Sequence, residues 1–225
     1  MINEKLKELY TSKVDGVKQL ANSLDDIDGP LLLKCWEDEY AKSKFKILFV
    51  GKECNGWVGY ASDNVEECMK RYDNFKLSKN GNRTVFWQYV YWVNSLLNPE
   101  QREGNNFLWT NISKFCTLDG AGLEWAVHTE TVKHFNCLID EVKITNPDIV
   151  LFFSGPYYDD KMKVQFEGEI SFKKVFDDIP QRELARVEHS VLPRHSYRAY
   201  HPSSLQRQMK SNYIQRLVEH IKNEN

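Results

Sequence analysis

The sequence predicts an α/β protein, a three-layer α/β/α sandwich around a short central sheet that is mostly parallel. Apolar runs of strand length alternate with segments of helical periodicity, and the run at 148–156 is apolar on both faces. Strands of that kind are typical of sheets covered by helices on both sides. The four predicted strands are 45–50, 106–112, 148–156 and 197–201. We expect a single domain over residues 1–225, with an N-terminal helix and linker at 1–30 and the core at 44–222.

The first part of the chain predicts one helix and a connection to the core. Apolar residues recur with helical spacing up to about residue 24, at Leu6, Leu9, Tyr10, Val14, Val17 and Leu20. Residues 25–30 read Asp-Asp-Ile-Asp-Gly-Pro, a composition that predicts a linker. The polar stretch 38–44 then leads into the first strand.

Two helices are predicted between the first and second strands. Residues 63–76 are rich in charge and are interpreted as a helix or helical loop. A turn at 77–82, with Asn80-Gly81 as its strongest signal, separates them from an aromatic helix at 84–94. Asn98-Pro99 ends that helix, because the residue before a proline disfavours helical geometry.

Two more helices and an edge hairpin complete the predicted fold. A helix over about 128–145 ends at Asn146-Pro147. Alternating polarity at 164–167 and 171–172 indicates a hairpin at the sheet edge. The last helix is predicted over 203–222, and its inner face carries Leu205, Met209, Tyr213, Ile214, Leu217 and Ile221.

The bulk composition indicates an ordinary soluble globular protein. Hydrophobic residues make up 41% and aromatic residues 13% of the 225. No apolar run approaches the roughly 20 residues that span a bilayer, and the N-terminus lacks the apolar core of a signal peptide. We therefore expect a cytoplasmic protein without membrane association.

Charge and cysteine content exclude some classes and leave one question open. A net charge of −2 argues against a dedicated nucleic-acid coat protein. No acidic residue lies between Glu188 and Glu219, a stretch that holds Arg194, Arg198, Arg207, Lys210 and Arg216. This stretch is either a solvated basic face or a phosphate-contact patch. The five cysteines show no metal-ligand spacing, and a structural role is favoured for Cys68, Cys116 and Cys137 and also for Cys54.

Polar side chains follow each predicted strand at its carboxyl end. Glu53 and Asn55 come after the first strand, Asn111 ends the second, Ser154 ends the third and His201 ends the fourth. In open α/β sheets the ligand site lies outside these ends. The sequence therefore predicts that an acid and an imidazole from opposite ends of the chain share one site.

Two segments of this site resemble the first and last motifs of the uracil-DNA glycosylase superfamily. They are Gly-Lys-Glu-Cys-Asn-Gly-Trp at 51–57 and Tyr-His-Pro-Ser-Ser-Leu at 200–205. Between them, 109–114 is similar to the family's strand with a uracil-binding asparagine, and 146–155 to the strand that precedes the last motif. The resemblance covers about residues 44–220, and its strength lies in the order and spacing of these segments.

The resemblance implies hydrolysis of the bond between a flipped base and its sugar, without a metal or organic cofactor. It assigns Glu53 to the positive charge that builds on the sugar and His201 to the negative charge on the leaving base. Asn111 would read the edge of the base. The substrate-binding set that we predict is Gly51, Asn55, Trp57, Asn111 and Ser154. A stacking ring is expected from Trp57, Tyr60 or Phe86, with the choice open.

DNA containing uracil or another damaged base is the partner that the resemblance implies. The predicted nucleic-acid contacts are Ser203, Ser204, Leu205, Arg207 and Lys210. Leu205 matches the residue that wedges into the duplex, and Ser203 the one that holds a phosphate. The first motif departs from the family pattern, because Cys54 stands where many members have proline and Trp57 can fill or reshape the pocket.

Other classes of function remain compatible with the sequence. One is a module on the same fold that binds nucleic acid or a nucleotide without cleaving it. Another is a hydrolase of a small nucleoside-like metabolite that uses the same carboxylate and histidine. A structural or partner-binding protein is the remaining alternative.

Overall fold

A computed structural model of the chain describes residues 1–77, 83–101, 104–119 and 122–224. The predicted fold class is confirmed: a six-stranded, mostly parallel sheet is flanked by helices, consistent with a three-layer α/β/α sandwich. Most of the turn predicted at 77–82, including Asn80-Gly81, lies outside the described residues.

The sheet places four parallel strands side by side. The strands are β1 Ile47–Gly51, β2 Leu108–Asn111, β3 Ile149–Phe152, β4 Ser171–Lys174, β5 Leu184–Glu188 and β6 His195–Ala199, in the order β2-β1-β3-β6-β5-β4. The first four in that order are parallel, while β5 and β4 continue the sheet as antiparallel strands. Gly51 pairs with Asn111, Val50 with Phe152, and Phe152 with Arg198. The carboxyl ends of the four parallel strands therefore lie at one edge, as the sequence predicts.

Ten α-helices are assigned in the described part of the chain. They are α1 Ile2–Ser12, α2 Val14–Ser23, α3 Glu37–Ala41, α4 Val65–Phe75, α5 Val85–Leu97, α6 Trp125–His134, α7 Leu138–Thr145, α8 Asp159–Gln165, α9 Pro202–Arg207 and α10 Ser211–Asn223. Helix α1 packs against α7 and α2 against α6, whereas α5 packs against α9 and α10. None of the helices within the described ranges is long and apolar enough to cross a membrane.

Three segments that are each predicted as one helix are each divided into two helices. The breaks lie at Lys13, at 135–137 and at 208–210. In the last of these, Met209 adopts a left-handed backbone with φ of 56°, and the N–H of Lys210 closes onto the carbonyl of Leu205 at 2.9 Å. This bond ends α9 in the manner of a C-terminal helix cap. As a result Met209 is 89% exposed rather than on the inner face.

Two other local predictions need correction. Residues 25–30 are not a linker, because Asp28 is fully buried and pairs with Cys116 through two backbone hydrogen bonds of 2.8 and 3.0 Å. The edge hairpin exists, but it joins β4 to β5. Of the segment predicted to form it, 164–165 ends α8 instead, while Ser171 and Phe172 do belong to β4.

Candidate functional site

A cleft of about 810 Å³ opens at the carboxyl ends of β1 and β2. Its walls come from the loop 51–57, from α4 and α5, from Trp109 and Asn111 of β2, and from His201 and Ser203. Glu53 and His201 both line it. The structure thus brings the early acid and the late imidazole to one cavity.

Glu53 is held by groups that follow the other strands. The Tyr158 phenol donates a hydrogen bond to Oε1 of Glu53, and the Leu123 N–H donates to Oε2 at 3.1 Å. The ammonium of Lys161 lies 3.9 Å from the same Oε2. With only 13% of its side chain exposed, Glu53 is fixed in place as a mostly desolvated carboxylate.

Two lysines provide positive charge around Glu53. Both ammonium groups lie near the Tyr158 ring, at 5.3 Å from its centroid for Lys52 and 4.7 Å for Lys161. Burial lowers the pKa of both lysines, and the charge of Glu53 opposes that shift. Carboxylate and cations therefore stabilise one another at the cleft wall.

His201 is positioned as a neutral hydrogen-bond donor. It caps α9, because its Nδ1 accepts the N–H of Ser203 at 3.3 Å. Burial, together with the charge of Lys52, lowers the pKa of His201 to about 4. A neutral imidazole whose Nδ1 accepts a hydrogen bond carries its proton on Nε2, so Nε2–H is left as the donor.

Asn111 and Gly51 form a close-packed corner at paired positions of β2 and β1. A β-carbon at Gly51 would lie 2.4 Å from Oδ1 of Asn111 and 3.5 Å from the ring of Phe86, so glycine is required for this approach. Asn111 is 1% exposed, and its Nδ2 has no hydrogen-bond partner among the described residues. An amide with a free donor at the cleft wall suits recognition of a carbonyl group.

The loop that carries the first motif is anchored by Asp28. Its carboxylate accepts the backbone N–H groups of Trp57, of Val58 at 2.7 Å and of Gly59 at 2.8 Å. Because three successive N–H groups converge on one buried carboxylate, the loop is fixed at its far end. This places Trp57 against the cleft.

Aromatic rings form the apolar wall of the cleft. Trp57 and Trp109 meet edge to face with centroids 5.7 Å apart, and Phe86 stacks on the ring of His201 at 5.9 Å. Of the three rings considered for stacking, Trp57 and Phe86 line the cleft. Tyr60 is 51% exposed and does not line it.

The remaining predicted residues divide between the cleft and other locations. Asn55 lines the cleft, as does the exposed Ser203, whereas the half-buried Ser204 does not. Ser154 is buried away from it, and its hydroxyl lies 3.9 Å from the sulfur of Met162. The prediction that Ser154 binds substrate is therefore not supported by its position.

Leu205 does not have the position expected of a duplex wedge. It is fully buried and belongs to the hydrophobic core. The same side chain was expected on the inner face of the last helix, and that packing role is the one it has. The wedge assignment is corrected accordingly.

Most of the predicted basic patch is neutralised by acids from distant segments. The pairs are Arg194 with Glu224, Arg198 with Asp159, Lys210 with Glu183 and Arg216 with Asp178. Within the described ranges, Arg207 is exposed and has no ion pair. Arg207 is therefore the cation of this stretch with its charge most available to a phosphate.

Sequence reasoning did not identify Lys52, Tyr158, Lys161 or Asp28. Tyr158 could have been found by the rule that located the other residues, because it follows the carboxyl end of β3. Asp28 could not, because it reaches the cleft loop only through the folding of a segment that has the composition of a linker.

Cys54 is the cysteine among the residues that line the cleft. All five cysteines are buried as free thiols. The hydrogen bond of Cys54 with Cys116 and its burial raise the pKa of the Cys54 thiol, which disfavours the nucleophilic thiolate. No group of three or more metal-ligating side chains is present in the part of the chain that the structure describes.

Comparison of the chain with protein-family models, curated proteins and solved structures gives no significant match.

Proposed function

We propose that the protein is a cytoplasmic DNA glycosylase that hydrolyses the bond between the sugar C1′ and the nitrogen of uracil or another deaminated or damaged base. The observation that carries the proposal is the common cleft of Glu53 and His201, which Asn111 also lines with an Nδ2 that has no partner in the described part of the chain. An enzyme that cleaves this bond needs a group for each side of it. These three side chains supply an acid, a donor and a means of reading the base.

Glu53 acts on the sugar side of the bond. As the bond to the base breaks, positive charge builds on the sugar, and the carboxylate stabilises it and orients a water toward C1′. The oxygen of that water forms the new bond to C1′ as the bond to the base nitrogen breaks, and one proton of the water passes through solvent to the departing base anion. Tyr158 and the Leu123 N–H hold the carboxylate in one orientation for this task.

His201 and Asn111 act on the base. The leaving base takes the electron pair of the broken bond, and the negative charge spreads to its carbonyl oxygen. A neutral His201 donates a hydrogen bond from its Nε2–H to that oxygen and keeps its proton. Asn111 Nδ2 donates to a carbonyl on the edge of the base, while Phe86 and Trp57 supply faces for stacking.

An excision assay tests this proposal. Purified protein is incubated with single- and double-stranded oligonucleotides that contain uracil, hypoxanthine or xanthine, and abasic sites are detected by strand cleavage on a gel. We expect an abasic product from at least one of them, and its loss in Glu53→Gln and His201→Ala variants. No product from any oligonucleotide at high protein concentration would overturn the proposal.

A hydrolase of small nucleosides is the second candidate. The ion pairs of Lys210, Arg198 and Arg216 and the burial of Leu205 favour it, because they reduce the surface available to a DNA backbone. Free nucleosides are therefore included in the assay. Turnover of nucleosides with indifference to DNA would select this candidate.

A further inference from the structure

Three side-chain N–H groups in the cleft wall have no hydrogen-bond partner within the described residues. They are Nδ2 of Asn111 and the indole Nε1 atoms of Trp57 and Trp109, and all three atoms are buried. Native proteins leave few buried polar groups unpaired, so each one requires an explanation. Since all three are donors, a ligand that satisfies them must be rich in acceptors.

The three donors belong to one wall of the cleft. Trp109 and Asn111 are two residues apart on β2, so their side chains project from the same face of the sheet. The rings of Trp57 and Trp109 are 5.7 Å apart between centroids. A single ligand that reaches Asn111 therefore has both indoles beside it.

The charge of this wall is positive. The guanidinium of Arg71 lies 5.7 Å from the centre of the Trp57 ring, and Arg71 is exposed and makes no ion pair with any described residue. Glu53 is the acidic residue among those lining the cleft, and its oxygens already accept from Tyr158 and Leu123. The wall therefore suits a group that is anionic as well as rich in acceptors.

The cleft has room for more than one pyrimidine ring. Its volume of about 810 Å³ falls within the range of roughly 300–1,000 Å³ that holds drug-sized ligands. Recognition of a base edge by Asn111 uses one of the three free donors. The N–H groups of the two indoles, and the charge of Arg71, have no part in the activity proposed above.

We propose that Trp57, Trp109 and Arg71 form a second subsite, which binds an oxyanion carried on the base that Asn111 reads. The preferred substrate is then a base with an acidic substituent, such as a carboxylate, rather than plain uracil. The inference rests on the proposed function for the location of the base. The same chemistry could be met by a separate phosphate, and the experiment below distinguishes the two sources.

Calorimetry with free bases measures the subsite without requiring catalysis. We expect the wild-type protein to bind uracil-5-carboxylate at least 10-fold more tightly than uracil, since a hydrogen bond to a charged group is worth about this factor or more. The Trp57→Phe variant keeps an aromatic ring for stacking and loses the N–H, so the ratio of carboxylate affinity to uracil affinity should fall about 10-fold. The matched control is Trp125→Phe, because Trp125 is 52% exposed and does not line the cleft.

A surface variant keeps the test valid if Trp57→Phe fails to fold. Arg71→Gln removes the charge from an exposed position and should also reduce the preference for the carboxylate. Equal affinity of the wild-type protein for both bases, or equal weakening of both by Trp57→Phe and Arg71→Gln, would overturn the subsite. If inorganic phosphate instead tightens plain uracil binding, and Trp57→Phe abolishes that effect, the subsite stands and its oxyanion is a separate phosphate.

Failure of the subsite and failure of the glycosylase proposal give different results. If uracil oligonucleotides are cleaved but calorimetry shows no carboxylate preference and no phosphate effect, the subsite proposal is wrong and the glycosylase proposal stands. Preferential binding of the carboxylate with no excision of any base removes the glycosylase and leaves the subsite.

Discussion

Tyr158 donates a hydrogen bond from its phenol to Glu53, so a residue of the segment that follows β3 orients the proposed catalytic residue that follows β1. Burial raises the pKa of Tyr158, and the hydrogen bond and negative charge of Glu53 raise it further. The phenol therefore stays protonated and remains a donor throughout the neutral range. One oxygen of Glu53 is therefore committed to the Tyr158 hydrogen bond.

Removal of this hydrogen bond should lower activity more than stability. We expect Tyr158→Phe to reduce the rate of base excision about 10- to 100-fold, because a misoriented carboxylate stabilises the sugar cation poorly. The free energy of unfolding should fall by only about 1 kcal/mol, the typical value of one hydrogen bond. Single-turnover kinetics and urea denaturation measure the two effects. Tyr157→Phe is the control, since Tyr157 is the adjacent tyrosine and is 81% exposed. Equal rates for both variants would remove Tyr158 from the site.

His201 should remain neutral well below the usual titration range of histidine. Its pKa, lowered from 6.5 to about 4, leaves the ring uncharged at pH 6, with the proton on Nε2. We expect ¹⁵N NMR of the ring to show this tautomer from pH 8 down to about pH 5. A titration centred near 6.5 would contradict the assignment of His201 as a neutral donor.

The same shift predicts how stability depends on pH. Between about pH 6.5 and 4 the unfolded chain binds a proton at His201 that the folded protein does not, so the free energy of unfolding falls as pH is lowered through this window. Above about pH 6.5 neither the folded nor the unfolded state binds a proton at His201, so this residue no longer changes the free energy of unfolding with pH. The buried His128, whose pKa is likewise about 4, acts in the same direction. Denaturation of His201→Gln and His128→Gln should show a weaker dependence on pH than wild type between 5 and 7.

The sheet was predictable from sequence because each strand is marked by a local run of apolar residues. Buried parallel strands are short apolar runs, and their carboxyl ends locate Glu53, Asn111 and His201 without knowledge of the tertiary fold. Helix breaks were not predictable, because the apolar spacing continues across Met209 although the backbone there turns left-handed. Leu205 had two possible roles, and only packing decides between core and surface.

The anchor of the cleft loop was not predictable, because it is a contact between segments far apart in the chain. Asp28 lies in a stretch with the composition of a linker, and nothing near it in sequence indicates that it accepts from Trp57, Val58 and Gly59. The ion pairs that neutralise the basic stretch have the same origin. In each case the partner is recognisable only after the chain has folded.

Loss of the charge on Asp28 should loosen the cleft loop. Asp28→Asn replaces one carboxylate oxygen by a donor that faces backbone N–H groups, so at least one hydrogen bond to a charged group is lost, at a cost of about 1.5–3 kcal/mol. We expect a lower melting temperature and new amide exchange at 57–59. Asp26→Asn is the control, because Asp26 accepts one backbone N–H, from Leu118, at an exposed position. Equal effects of the two substitutions would show that Asp28 is not a special anchor.

A methyl group at Gly51 should displace the base-reading amide. In Gly51→Ala the new carbon would lie 2.4 Å from Oδ1 of Asn111, which forces that side chain or the strand to move. We expect uracil affinity to fall about 10-fold or more, with stability lowered by about 1–3 kcal/mol for the overpacked site. Gly56→Ala, at a glycine with no atom within 4 Å of the added carbon, separates steric displacement from loop strain. Unchanged uracil binding in Gly51→Ala would mean that Asn111 does not read the base.

Leu205 and Arg207 should respond in opposite ways to truncation. Leu205 is fully buried, so Leu205→Ala leaves a cavity and should destabilise the fold by about 2–5 kcal/mol. The DNA affinity of the Leu205→Ala variant should be close to that of wild type at temperatures where the variant is folded. Arg207→Ala should leave stability within about 0.5 kcal/mol, because it removes an exposed side chain.

DNA binding separates the two residues most clearly. If Arg207 contacts a phosphate, Arg207→Ala weakens binding to all sequences alike and reduces the slope of log affinity against log salt concentration by about 1. Fluorescence anisotropy with a labelled abasic oligonucleotide between 50 and 200 mM salt measures both quantities. Lys210→Ala is the comparison, since its ammonium lies 2.5 Å from Glu183 and its removal should change the slope less. A large loss of DNA affinity in a folded Leu205→Ala protein, with no change in Arg207→Ala, would restore the wedge role to Leu205 and remove the phosphate contact from Arg207.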